Sequence, residues 1–115
     1  MSAGYYELNG RKIPHDPEGF LENLDDWSEQ VAEAIARAEG IELTPAHWEV
    51  INLVRDYCDT YGLAPNIHVL TKHMKKKLGP EKGKRQYLES LFPGPGSPAA
   101  RLARIAGLPK PTGCV

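Results

Sequence analysis

The spacing of apolar and polar positions predicts a short hairpin at the start of the chain. The stretch "YYELNGRKIP" places two short flanks around Asn9-Gly10. This residue pair is preferred in a two-residue type I′ turn, which joins antiparallel strands. Because a lone hairpin is only marginally stable in water, we expect this one to pack against helices.

The next segment has the spacing of an amphipathic helix. In "DDWSEQVAEAIARAEG" apolar residues recur at helical intervals with charged residues between them, and Gly40 follows as a stop signal. The stripe predicted to face the core consists of Trp27, Val31, Ile35 and Ala38.

The strongest start signal precedes a second, longer helix. In "LTPAHWEVINLVRDYCDTYG", Thr44 suits the N-cap and Pro45 suits the first helical position. Gly62 ends this helix, and "LAP" turns the chain into a third one, "NIHVLTKHMKKKLG". The predicted inward-facing residues are Trp48, Ile51, Val54, Cys58 and Tyr61 on the second helix and Ile67, Leu70, Met74 and Leu78 on the third.

Two shorter helices complete the pattern. "RQYLESLF" presents Tyr87, Leu88 and Leu91, and the "PGPG" that follows breaks it. Ser97-Pro98 then begins "AARLARIA", which ends at Gly107, whereas "LPKPTGCV" has no helix or strand pattern. The predicted fold is therefore mainly α: a small helical domain with a helix-turn-helix-like arrangement, an N-terminal β-hairpin and a flexible C-terminal arm. We expect residues 1–107 to form a single domain and residues 108–115 a mobile arm.

Length and composition restrict the class of protein. A chain of 115 residues can bury one modest core. No apolar run approaches the roughly 20 residues that cross a bilayer, and "MSAGYYELNG" lacks a signal-peptide pattern, so we expect a cytoplasmic protein without membrane contact. In that compartment Cys58 and Cys114 should both be free thiols.

Charge is divided unequally along the chain. Residues 1–59 hold 13 of the 15 acids and have a net charge of −9, whereas residues 60–115 have a net charge of +8. This asymmetry favours an oriented partner surface or an attraction within the molecule.

A basic region admits two interpretations. Seven basic residues fall within fourteen positions: Lys72, Lys75, Lys76, Lys77, Lys82, Lys84 and Arg85. The helices joined at "YGLAPN" could form a helix-turn-helix, with the third helix facing DNA. The alternative function is therefore that of a nucleic-acid-binding or regulatory protein. We favour a solvated helix face, because the acidic first half would repel phosphate, and we do not expect direct nucleic-acid binding.

No motif indicates a metal or a cofactor. Of the four histidines, His68 and His73 share one helix but stand five residues apart, about 140° around its axis. The glycines of "GPGSP" alternate with prolines and do not form a phosphate-binding loop. We therefore predict no cofactor and no metal ligand.

The penultimate residue, Cys114, is the candidate reactive group. Its thiolate would be disfavoured by the Val115 carboxylate, unless Lys110 folds back to offset that charge. Inside an electropositive pocket of a partner, both negative groups would be stabilised together. The arm can span roughly 25 Å, and its prolines stiffen it. The residues alone leave two possibilities open: a carrier activated on docking, or a disordered tail.

The tail "GLPKPTGCV" resembles the C-terminal signature of the TusE/DsrC family of sulfur-relay proteins. Three further stretches are similar to the family: "DPEGFLENLDDW", "ELTPAHWEVINLVRDYCDTYGLAP" and "KKLGPEKGKRQYLESLFPGP". The resemblance implies a mostly helical fold with a hairpin and an arm. It also implies that Cys114 is the catalytic residue of a sulfurtransferase-type carrier, holding sulfane sulfur as a persulfide.

The resemblance also implies partners. A TusBCD/DsrEFH-like protein would donate the sulfur, and a tRNA 2-thiouridylase or a dissimilatory sulfite reductase would accept it. We expect a monomer whose docking is guided by Lys110, Lys75, Lys76, Lys77 and Arg85. A regulator that inserts its tail into such an enzyme without transferring sulfur is a third possibility.

Two positions depart from the family pattern. In the DsrC branch a second cysteine lies eleven positions before the last one and closes a ring with it, but this chain has Ala103 there. The chain therefore sides with the relay branch, or with single-cysteine relatives whose roles are less defined. His68 stands where relatives usually have arginine, so an anion contact at that position is not expected.

Overall fold

The fold, a computed structural model, is described over residues 4–111. Within that range the elements are strands β1 (Gly4–Leu8) and β2 (Arg11–His15), a 3₁₀ turn (Leu24–Asp26), and helices α1 (Glu29–Ala38), α2 (Pro45–Tyr61), α3 (Ile67–Leu78), α4 (Arg85–Leu91) and α5 (Pro98–Ile105). The predicted mainly helical fold with an N-terminal hairpin is confirmed. None of the helices in the described range is long and apolar enough to cross a bilayer.

The hairpin turns at the predicted residue pair. Asn9 has φ +51° and Gly10 has φ +82°, the left-handed conformations that a type I′ turn requires. Tyr6 pairs with Ile13 across the two strands, and Ile13 is buried. The hairpin packs against α1, as expected for a two-stranded sheet that needs a helix to cover it.

Helix α5 lies at the centre of the core and packs against α1, α2, α3 and α4. Its first turn is capped by Ser97, whose hydroxyl accepts the Ala100 N–H at 3.2 Å. Pro98 occupies the first helical position, where its missing N–H leaves no bond unmade. The largest fully buried side chains are Phe92, Ile13, Ile35, Ile51, Leu70, Met74, Leu88, Leu102, Ile105, Val31, Val50 and Val54.

Helix α2 begins at the predicted cap and is fastened there by a buried histidine. The Thr44 N–H donates to His47 Nδ1 at 3.1 Å, so the ring proton resides on Nε2. That Nε2 donates to the Leu91 carbonyl at 2.6 Å, which joins the start of α2 to the end of α4. Gly62 ends α2 with φ +76°, as the sequence predicted.

Two inward-facing assignments are wrong, and a third residue faces the core from outside its predicted helix. Trp27 packs against the core but precedes α1, because Ser28 caps that helix through a hydroxyl that accepts the Val31 N–H at 3.2 Å. Ala38, in the last position of α1, is exposed. Tyr61 is 60% exposed because the end of α2 extends past the core into a solvent-facing turn.

Candidate functional site at the root of the arm

Cys114 lies outside the described residues, so the candidate site is described from the part of the arm that precedes it. Leu108 is buried, and its N–H donates to the Ala103 carbonyl at 2.9 Å. Lys110 Nζ lies 2.8 and 2.7 Å from the two carboxylate oxygens of Glu18, and Pro111 is buried. The first four residues of the predicted arm therefore lie against the body, and the division after residue 107 stays a prediction.

Two side chains hold the carboxyl end of α5. Trp27 Nε1 donates to the Ile105 carbonyl at 2.9 Å, and Arg55 Nη1 donates to the Ala106 carbonyl at 2.7 Å. The Arg55 guanidinium also lies 3.7 Å from the centre of the Trp27 ring. We call this pair the arm-root clamp. It satisfies carbonyls that the end of a helix leaves free and places a positive charge at the negative end of the helix dipole.

Gly107 is required where the chain leaves α5. Its φ of +71° is a conformation that residues with a side chain rarely adopt. A Cβ at this position would lie 2.2 Å from Trp27 Cδ1, far inside van der Waals contact. The glycine therefore allows the backbone to turn beneath the clamp.

A buried ionic cluster joins α1 to α5. The Glu39 carboxylate accepts from Arg101 Nε at 3.1 Å and from Arg104 Nη2 at 2.7 Å. Arg101 is only 5% exposed and also donates to the Phe92 and Pro95 carbonyls. The cluster fixes α5 against α1 and against the loop before α5, and so sets the direction in which α5 ends.

Tyr6 adjoins this cluster and stays protonated. Burial raises the pKa of Tyr6 to about 12, the Glu39 charge adds to the increase, and Arg104 opposes it. The Tyr6 hydroxyl donates to the Gly19 carbonyl at 2.6 Å. This hydrogen bond therefore persists at neutral pH and holds the hairpin to the loop that Lys110 contacts through Glu18.

Removing the carboxylate of the cluster should destabilise the domain. In Glu39→Ala the buried Arg101 guanidinium loses its counter-ion, so we expect the free energy of unfolding to fall by about 3 kcal/mol. Urea denaturation followed by circular dichroism measures the change. Glu33→Ala, which removes an exposed glutamate from α1, the helix that Glu39 follows, should change stability by less than about 0.5 kcal/mol. Equal losses in the two variants would contradict the role of the cluster.

The predicted docking residues occupy separate places. Lys75, Lys76 and Lys77 form the exposed last turn of α3, where they also stabilise the helix dipole. Arg85 lies on α4, and its Nε is 3.5 Å from Glu89 on the same helix. Lys110 contacts Glu18, as described above. The structure therefore brings three of the five residues together on one helix end.

Cys58 is a poor candidate for sulfur chemistry. It is a free, partly buried cysteine on α2. Burial raises the pKa of its thiol above the usual value, Asp59 adds to the increase, and Arg55 opposes it. The thiol is therefore protonated at neutral pH and weakly nucleophilic. Ala103, the position implied for a second arm cysteine, is only 1% exposed within α5.

Sequence reasoning missed the residues that hold the arm root. Trp27 contacts Ile105, 78 positions away, and Arg55 contacts Ala106, 51 positions away. Glu39 pairs with Arg101, 62 positions away. Contacts over such separations leave no periodic signal in the sequence. Within residues 4–111 no three histidine, cysteine or carboxylate side chains are grouped as a metal site would require.

Fold and site together define a class of small helical proteins. Each anchors the root of a C-terminal segment whose second-to-last residue is a cysteine. The family model described as DsrC-like protein matches residues 7–115. The chain is 46% identical over 108 residues to a sulfurtransferase TusE homolog of Haemophilus influenzae, covering 94% of this chain and 97% of that one. Sulfurtransferase TusE of Escherichia coli shows the same identity and coverage.

Solved structures agree with the sequence relatives. DsrC of Allochromatium vinosum superposes with a TM-score of 0.84 at 50% identity, covering 98% of this chain and 99% of that one. The oxidized gamma-subunit of dissimilatory sulfite reductase (DsrC) from Archaeoglobus fulgidus superposes with a TM-score of 0.79 at 45% identity. That match covers 96% of this chain and 99% of the other. The chain belongs to the DsrC-like family, which confirms the resemblance, and it is a sulfur-relay protein.

Proposed function

We propose that this chain carries sulfur as a persulfide on Cys114 and passes it to a partner protein. The observation that carries the proposal is the anchored arm root: the arm-root clamp and Gly107 fix the chain seven residues before that cysteine. Such an anchor defines where the arm starts, which lowers the entropy lost when a partner binds its end. The TusE and DsrC relatives support the same conclusion.

The proposed transfer is a thiol exchange without net oxidation. The Cys114 thiolate attacks the outer sulfur of the donor persulfide and forms a new S–S bond. The S–S bond of the donor breaks, and its cysteine leaves as a thiolate. The outer sulfur keeps its proton, so Cys114 becomes a persulfide. Delivery repeats this exchange in the opposite sense, with the acceptor as nucleophile.

The partners and location are part of the proposal. A TusBCD/DsrEFH-like complex would load Cys114, and a tRNA 2-thiouridylase or a dissimilatory sulfite reductase would unload it in the cytoplasm. The exposed lysines Lys75, Lys76 and Lys77 offer a positive surface for docking. The protein would act as a monomer, because each transfer needs one arm in one partner pocket.

Mass spectrometry of the intact protein tests the proposal. After incubation with a cysteine desulfurase and the donor complex, the protein should gain about 32 Da, which dithiothreitol should remove. Proteolysis should locate the added sulfur on the C-terminal peptide. Absence of the added mass, or its location on the peptide that contains Cys58, would contradict the proposed function.

A further inference from the structure

A groove of about 590 Å³ runs between α2 and α3, on a surface separate from the arm root. Its floor is aromatic: the Tyr57 ring lies 4.6 Å from the Tyr61 ring and 5.3 Å from the His73 ring. Tyr61 is 60% exposed, although an isolated domain gains nothing from exposing so large a side chain. Exposed tyrosines in a concave site are typical anchors of protein interfaces.

An exposed apolar side chain lies beside the groove on α3. Val69 lies one turn before His73 on the same face of that helix and is 38% exposed. Burial lowers the pKa of His73, and the charges of Lys77 and Lys76 lower it further. The ring is therefore neutral at pH 7, and the floor of the groove is uncharged.

The two edges of the groove have opposite charges. Asp56 lines the α2 edge and Lys77 lines the α3 edge, with exposed Lys76 beside it. Within residues 4–111 neither Asp56 nor Lys77 forms an ion pair. Both charges are therefore available to a partner that offers a cation on one side and a carboxylate on the other.

The groove lies close enough to the arm root for one partner to contact both. Arg55 binds the Ala106 carbonyl at the arm root, and the next two residues, Asp56 and Tyr57, line the groove. The two sites are thus on different faces of one helix, which is about 10 Å across.

We propose that this α2–α3 groove binds an amphipathic segment of the sulfur-donating partner. An apolar side chain of that segment would pack on Tyr57 and Tyr61, a carboxylate would face Lys76 and Lys77, and a cation would face Asp56. The inference rests on the proposed function and names the surface used for loading. Loading needs such an anchor, because the Val115 carboxylate beside Cys114 disfavours the attacking thiolate. A donor held in the groove offsets this, since binding raises the effective concentration of the donor persulfide near Cys114.

A matched pair of double variants tests the inference. Tyr61→Ala/Lys77→Glu alters the groove, and Tyr5→Ala/Lys12→Glu makes the same changes on the hairpin, where Lys12 lies 4.7 Å from the Tyr5 ring centre. The groove variant should accept sulfur from the donor complex about tenfold more slowly than the wild type. The hairpin variant should keep the wild-type rate. Glutathione persulfide, which needs no docking, should load both variants at the wild-type rate.

Each outcome decides the proposal. Wild-type loading rates in the groove variant, or equal slowing in the hairpin variant, would overturn the assignment of the groove while leaving sulfur transfer intact. A wild-type protein that takes no sulfur from the donor complex would overturn the proposed function and this inference together. Loss of self-association or of oligonucleotide binding in the groove variant, with unchanged loading, would assign the groove to another occupant and reject ours.

Discussion

Cys114→Ala should abolish the gain of about 32 Da when the protein is incubated with a sulfur donor. The substitution removes the only arm thiol, and the other cysteine cannot replace it: Cys58 is partly buried on α2, and burial raises the pKa of its thiol. Intact-mass spectrometry measures the loaded fraction, which should fall to the level of a sample without donor. Urea denaturation of the variant checks that its stability equals that of the wild type.

Cys58→Ala is the matched control for this experiment. It removes the second thiol and leaves the arm unchanged, so the loaded fraction should equal that of the wild type. Cys114→Ser should behave like the alanine variant, since a hydroxyl forms no persulfide. A mass gain retained in Cys114→Ala would contradict the assignment of the carrier residue. Unchanged relay function in Cys114→Ser would favour a regulator that only inserts its tail.

Gly107→Ala should destabilise the protein and slow its loading by the donor complex. The methyl group would lie 2.2 Å from Trp27 Cδ1, so either the indole or the backbone must move. Overpacking of this kind and a positive φ together should lower the free energy of unfolding by about 3 kcal/mol. Displacement of Trp27 should also release the Ile105 carbonyl. Urea denaturation and the quenching of tryptophan fluorescence report the two effects.

Gly62→Ala separates the backbone contribution from the steric one. Gly62 has φ +76°, close to the +71° of Gly107, but a Cβ there meets no atom within 4 Å among the described residues. The control variant should therefore lose only about 1 kcal/mol and load sulfur normally. If the two alanine variants lost equal stability, the contact between Gly107 and Trp27 would have no energetic importance.

Local signals predicted most of the fold. Asn9-Gly10 determined the hairpin because few residue pairs adopt left-handed φ at both turn positions. Thr44 and Gly62 bracketed α2 because caps and stops depend on neighbouring residues only. The assignment of Tyr61 failed because periodicity identifies a helix face but not where the neighbouring elements end.

The site was less predictable than the fold. The sequence proposes Cys114, which lies outside the described residues, and the lysines of α3 as site residues, and both stay predictions. It also placed Trp27 within a helix stripe. Its indole instead reaches the Ile105 carbonyl, a contact between residues 78 positions apart. The burial of Arg101 against Glu39 had no local signal either, since a charged residue is ordinarily expected at the surface. Long-range polar contacts of this kind require the tertiary structure.

The alanine at position 103 has a consequence for how the loaded protein would discharge. Its side chain is enclosed in α5 and offers no second sulfur atom to the arm. On the proposed mechanism the protein therefore has no internal oxidation–reduction couple and cannot release its cargo unaided. The fraction of molecules that hold sulfur would then follow the supply of donor and the demand of acceptor, by mass action alone.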